Sequence, residues 1–132
     1  ASFHSSKKKE NERYMAKIAD VFTKNRVDVV FSGHVHNYQR TFPIRVTGGQ
    51  MTIQQTYAGR GKAQGTIYVV SGAGGAELYD QTMAAKPSIW RPFTAQYVAG
   101  YSFTRLDVSP TILRMKQIGI GGKVLDTFEI QR

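Results

Sequence analysis

A chain of 132 residues with 41% hydrophobic and 20% charged residues is long enough for one packed domain, and too ordinary in composition for disorder to be the expectation. It contains no cysteine, which excludes disulfide staples, thiolate nucleophiles and Cys-based zinc sites, so any metal must be held by His, carboxylate, Tyr or backbone oxygen. The formal net charge is +9, of which residues 1–62 carry +7 and residues 63–132 carry +2, a balance that favours anionic partners such as phosphate esters, nucleic acid or acidic lipid.

No apolar run approaches the roughly 20 residues of a spanning helix, so no membrane partner is expected. The chain opens on Ala1 without a Met or a signal peptide, which fits processing or truncation. Lys7-Lys8-Lys9 reads as a solvated helix entrance and lacks the interleaved aromatics of a base-stacking surface, so no nucleic-acid partner is expected. From about Glu10 to Lys24, Tyr14, Ile18, Val21 and Phe22 recur at helical spacing, with Met15 and Ala19 widening the apolar face. Asn25 suits a left-handed cap. Val27-Asp28-Val29-Val30-Phe31 is β-branched and nearly all apolar, the pattern of a central strand covered on both faces. Helix, short connection, buried strand and Gly-containing loop make half of an α/β layer, in which ligands bind outside the carboxyl ends of strands.

Further on, Ile44 to Val46 and Met51 to Ile53 read as hairpin arms around Gly48-Gly49, and Thr56 to Gly65 as a loop. Thr66 to Val70 is a second buried strand that runs into the glycine-rich Ser71 to Gly75. Ala76 to Gly100 shows no clear period and reads as a long excursion packed down by Trp90, Phe93 and Tyr97. Ser102 to Val108, Thr111 to Ile118 and Val124 to Ile130 are three antiparallel strands with mixed faces, joined by turns at Ser109-Pro110 and Gly119 to Gly122. One helix and a few strands are too little to cover both faces of a buried sheet, so a missing segment or a second copy of the chain is expected to complete it.

The string that carries chemistry is Phe31-Ser32-Gly33-His34-Val35-His36-Asn37-Tyr38-Gln39-Arg40. Two imidazoles at i and i+2 on an extended segment project to one side, within reach of one metal or of two adjacent ones. Gly33 permits a sharp turn after the strand and leaves space beside the ligands. A His-x-His pair by itself is more commonly two surface histidines than two ligands, and Arg40 reads more readily as a structural anchor paired with an acid than as a phosphate-steering group. The glycine run 72–75 lacks the Lys-Ser/Thr sequel of a nucleotide cradle, and Ser71 has no positioned base.

Val-Asp-Val-Val-Phe-Ser-Gly-His-Val-His-Asn-Tyr-Gln-Arg resembles the last metal-binding motif of calcineurin-like metallophosphoesterases, and the Tyr and Arg after the second His resemble the purple acid phosphatase branch. Weaker similarity runs through Ser71 to Gly75 and Tyr101 to Ile130. The resemblance implies an α/β fold, residues 1–132 being the C-terminal half of a four-layer α/β/β/α sandwich whose N-terminal metal-binding half is absent. It implies that His34 binds a divalent metal and His36 the other ion, usually ferric iron, with iron paired to zinc, manganese or a second iron. It implies hydrolysis of a phosphate ester by a metal-activated hydroxide, Tyr38 and Arg40 steering the phosphate, and an exported or extracytoplasmic location.

The departures are as informative. The family's upstream Asp-x-His or Asp-x-Asp, Gly-Asp-x-x-Tyr and Gly-Asn-His motifs do not occur here. His4 is the remaining candidate for a further ligand or catalytic group, with a bystander role equally open. Two histidines cannot hold two hard ions without oxygen donors. The chain by itself is therefore expected to be inactive, with no or partial metal occupancy. The competing readings are a non-catalytic interaction module that keeps the fold and a basic nucleic-acid-binding domain.

Overall fold

Helix α1 (Glu12–Lys24) ends in a Schellman motif, with Val27 N–H donating to Phe22 O at 3.0 Å and Arg26 N–H to Thr23 O at 3.1 Å. The computed structural model describes residues 12–132, with side chains from residue 18 onward. The left-handed residue is Arg26 (φ 52°) rather than Asn25, whose side-chain amide turns back onto Val21 O at 2.8 Å. Ala19 and Phe22 pack toward Ile44, Val46, Tyr68 and Phe93, whereas Ile18 and Val21 stay exposed.

The strands are β1 (Val29–Ser32), β2 (Tyr38–Thr41), β3 (Ile44–Thr47), β4 (Gln50–Ile53), β5 (Arg60–Gly61), β6 (Ile67–Ser71), β7 (Thr94–Val98), β8 (Ser102–Val108), β9 (Ile112–Gly119) and β10 (Val124–Gln131). Among the described residues they form one sheet ordered β1-β6-β2-β7, a second ordered β5-β10-β9-β8, and the hairpin β3–β4. In the first sheet β1 and β6 are parallel, and β2 runs antiparallel to β6 and β7. The hairpin matches its sequence signal: Gly48 and Gly49 both take positive φ, 57° and 78°, as a two-residue turn of the primed type demands.

Two expectations need correction. The run at 27–31 was expected to be a covered central strand, but among the described residues β1 lies at the sheet edge, with Val29 and Val30 half-buried and Phe31 43% exposed. A strand with one neighbour is covered from one side; the fully buried run is Ile67 to Val70 in β6. The stretch 76–100 is not irregular throughout. It holds a short helix α2 (Gln81–Ala84), a 3-10 turn (Pro87–Ile89) and strand β7.

The core lies between the two sheets. Tyr38, Ile67 and Val69 from the first meet Met115, Phe128 and Ile130 from the second, with Tyr57 closing one side. The opposite face of the first sheet receives α1 and the hairpin. Alternation puts Phe103, Ile118 and Val124 together on the outer face of the second sheet, where Phe103 is 59% exposed. The described residues thus build an α/β fold with three of the four layers of an α/β/β/α sandwich.

Candidate metal centre

Strand β1 delivers the chain to the histidine loop at its carboxyl end. The loop is bent, not extended: His34 is left-handed (φ 73°) and Asn37 N–H donates to Val35 O at 2.8 Å. The segment is thus not extended as expected, and the left-handed residue is His34 rather than Gly33. Val35 is driven into the protein at 2% exposure, while His34 is exposed and His36 half-buried. A left-handed residue other than glycine costs roughly 1–2 kcal/mol, so the surroundings must hold it.

The glycine-rich segment is part of that support. A Cβ on Gly72 would stand 2.0 Å from Val35 O, so the two backbones can meet only through glycine. Gly72 N–H donates to Asn37 O at 3.0 Å, and Ala73 O accepts from Ser102 N–H, which ties the loop to β8. Asn37 is fully buried beneath the loop. Its Nδ2 donates to the Tyr97 hydroxyl at 2.9 Å and its Oδ1 accepts from Gln39 Nε2 at 2.9 Å. The run 72–75 therefore serves as a platform for the histidine loop.

His36 is oriented on several sides. Its Nδ1 lies 2.7 Å from Glu77 O, and a carbonyl can only accept, so Nδ1 carries a hydrogen, which in the neutral ring leaves the lone pair on Nε2. The ring stacks on Tyr79 with centroids 4.2 Å apart and planes 23° off parallel, while Tyr79 N–H donates to His36 O at 3.0 Å. An imidazole with one nitrogen tethered to a carbonyl, and the other without a hydrogen-bond partner among the described residues, is arranged as metal-ligating histidines are.

Tyr38 and Arg40 leave the loop toward the core. Arg40 donates from Nε to Asp126 Oδ2 at 2.6 Å and from Nη2 to Oδ1 at 3.0 Å, and the Tyr38 hydroxyl donates to the same Oδ2 at 2.6 Å. Tyr38 is 0% and Arg40 7% exposed, and the guanidinium sits 5.5 Å over the Phe128 ring. Burial, then the Asp126 charge, pushes the Tyr38 phenol up; burial works against the Arg40 cation, but the hydrogen bond and charge of Asp126 outweigh it. Of the two roles weighed for Arg40, the geometry is that of the anchor. Neither side chain offers an exposed donor with which to steer a phosphate.

His4 lies outside the described residues. Among the described residues no group of three His, Asp or Glu side chains converges as a metal site. Two imidazoles alone do not fit a pair of hard ions, which need oxygen donors to offset their charge. Sequence reasoning missed Glu77, Tyr79 and Asp126. The first lends only its carbonyl, and the others lie far along the chain from the residues they hold; the glycine run was the one legible signal.

The family model for the iron/zinc purple acid phosphatase-like protein C matches residues 65–127. A nucleotide pyrophosphatase/phosphodiesterase of Hordeum vulgare is 36% identical over 115 residues, covering 85% of this chain and 29% of the barley protein. The probable inactive purple acid phosphatase 27 of Arabidopsis thaliana is 35% identical over 113 residues, covering 85% of this chain and 18% of its own length. The solved structure of purple acid phosphatase PPD1 from yellow lupin seeds superposes with a TM-score of 0.69 at 29% identity, covering 87% of this chain and 19% of that one. The chain thus spans less than a third of each of these relatives. It belongs to the purple acid phosphatase type of calcineurin-like metallophosphoesterases and matches their C-terminal portion.

Proposed function

We propose that the full-length protein hydrolyses phosphate esters at a two-metal centre, to which this chain gives His34 and His36 and an N-terminal half of the same domain gives the oxygen-rich ligands. The observation that supports this most is His36, with Nδ1 donating to Glu77 O and its ring stacked on Tyr79, so that Nε2 is free for a metal. Bound metals in such a centre polarise the phosphoryl group and supply a nucleophile near neutral pH. Iron with zinc, manganese or a second iron is the pairing the family implies, His34 serving the divalent ion and His36 the ferric one. The outer edge of β1, next to the loop, has no partner strand among the described residues and suits pairing with the upstream half. Tyr38 and Arg40 act on the reaction through the position they give the loop. An exported location accompanies this reading.

The test is hydrolysis of a chromogenic phosphate ester by the full-length protein loaded with iron and zinc. His34→Ala and His36→Ala should each lower turnover by about 100-fold or more, and residues 1–132 alone should be inactive. Robust turnover by the isolated chain, abolished by His34→Ala, would overturn the shared-site reading. A second reading, a non-catalytic module that kept the fold, is supported by a relative whose name calls it probably inactive. It predicts no turnover of any ester by the metal-loaded full-length protein.

A further inference from the structure

The strands' other end holds a different feature. Before β1 and β6 begin, and where β10 ends, a cleft of about 360 Å³ opens between the end of α1, the hairpin and the 62–66 segment. Among the described residues four cations line it, Arg26, Arg45, Lys62 and Arg132, against one acid, Asp28. Arg132 already holds that acid, with Nε donating to Asp28 Oδ2 at 3.0 Å and Nη2 donating to the same oxygen. Arg26, Arg45 and Lys62 are exposed and make no ion pair among the described residues.

Three uncompensated cations around one concavity repel each other and focus a positive potential into it. The backbone adds to this. Arg26 occupies the left-handed position after α1 where glycine is the usual residue, so a side chain and its charge stand there at a conformational cost. The size suits a small ligand. Among the described residues no aromatic side chain lines the cleft, so none of them would stack on a base there.

We infer that this cleft binds a small anion bearing two or more linked phosphates, through Arg26, Arg45 and Lys62. The inference is independent of the histidine loop, which lies at the opposite ends of the same strands. The test is calorimetric and NMR titration of the metal-free full-length protein with inorganic tripolyphosphate, against sulfate at matched ionic strength. Saturable binding is expected, with amide shifts at Arg26, Arg45, Lys62 and Gly65. The double variant Arg45→Gln/Lys62→Gln should bind about tenfold more weakly or worse, since each cation lost removes a charge-assisted hydrogen bond. Both positions are exposed, and an unchanged thermal melt will show that the variant folds. His34→Ala/His36→Ala should bind as the parent does, and ATP no tighter than tripolyphosphate. No saturable binding beyond sulfate, binding unmoved by the double variant, binding lost in the histidine variant, or binding of ATP without tripolyphosphate would each overturn the inference.

Discussion

His34 with His36, and Tyr38 with Arg40, are two pairs at the same spacing in one short stretch of chain, yet they end in opposite surroundings. The histidines stay in contact with solvent on a bent loop that neighbouring backbone holds in shape. The tyrosine and arginine enter a strand with a neighbour on either side and give their polar atoms to Asp126 from the other sheet. Residue type marked all four as suited to a phosphate site. What separates them is the change of backbone at Asn37, from bend to strand, and the presence of an acid 86 and 88 residues away that only the fold brings near.

The largest expected effect lies on the buried side of the comparison. Asp126→Ala leaves the Arg40 cation without its acid inside the core and should cost about 3–5 kcal/mol in chemical denaturation. A loss below about 1 kcal/mol would mean that water reaches Arg40 and that the pair is not an anchor. On the histidine side, Gly72→Ala forces a Cβ toward Val35 O and should cost about 1–3 kcal/mol. It should also move the His36 ring resonances, and unshifted rings would separate the platform from the loop.

Alkali sharpens the comparison further. Burial pushes the Tyr57 phenol up to about 12, and the Tyr38 phenol up as well. A phenol raised above its unfolded value of about 10 contributes stability that is complete below pH 10 and lost as pH climbs through 12. The buried part of the phenolate absorbance, that of Tyr57 and Tyr38, should therefore rise late and together with loss of circular dichroism; a titration that runs to completion without unfolding would show that water reaches the core between the sheets. The smallest effect belongs to the surface. Lys24→Ala removes the exposed pair to Asp20 at 3.1 Å and should change stability by less than about 0.5 kcal/mol, whereas a larger change would give that helix end a role not visible in its contacts.

Much of the frame was legible before the fold was known, and for local reasons. The hairpin around Gly48-Gly49 and the three closing strands follow from turn glycines and period-two patterning, which act between neighbours in sequence. Strand β2 was not legible because Tyr-Gln-Arg-Thr has no apolar alternation, although all four residues are buried. Strand β7 was hidden for a similar reason among prolines and aromatics. Strand β1 sits at an edge among the described residues, because an apolar run reports only what a strand could bury, and edge or centre depends on which neighbours are present.

By itself the amino-acid order determined the kind of chemistry: two imidazoles after a strand, no thiols, an excess of positive charge and a motif shared with metal-dependent phosphoesterases. Tertiary structure decided which of those groups face outward. Glu77 O sets the tautomer of His36, Gly72 sets the shape of the loop, Asp126 draws Tyr38 and Arg40 inward, and three cations without an ion pair among the described residues gather at the far end of the strands. Donor types are a local property of side chains. Their orientation comes from hydrogen bonds and contacts across dozens of residues, and no local pattern encodes these.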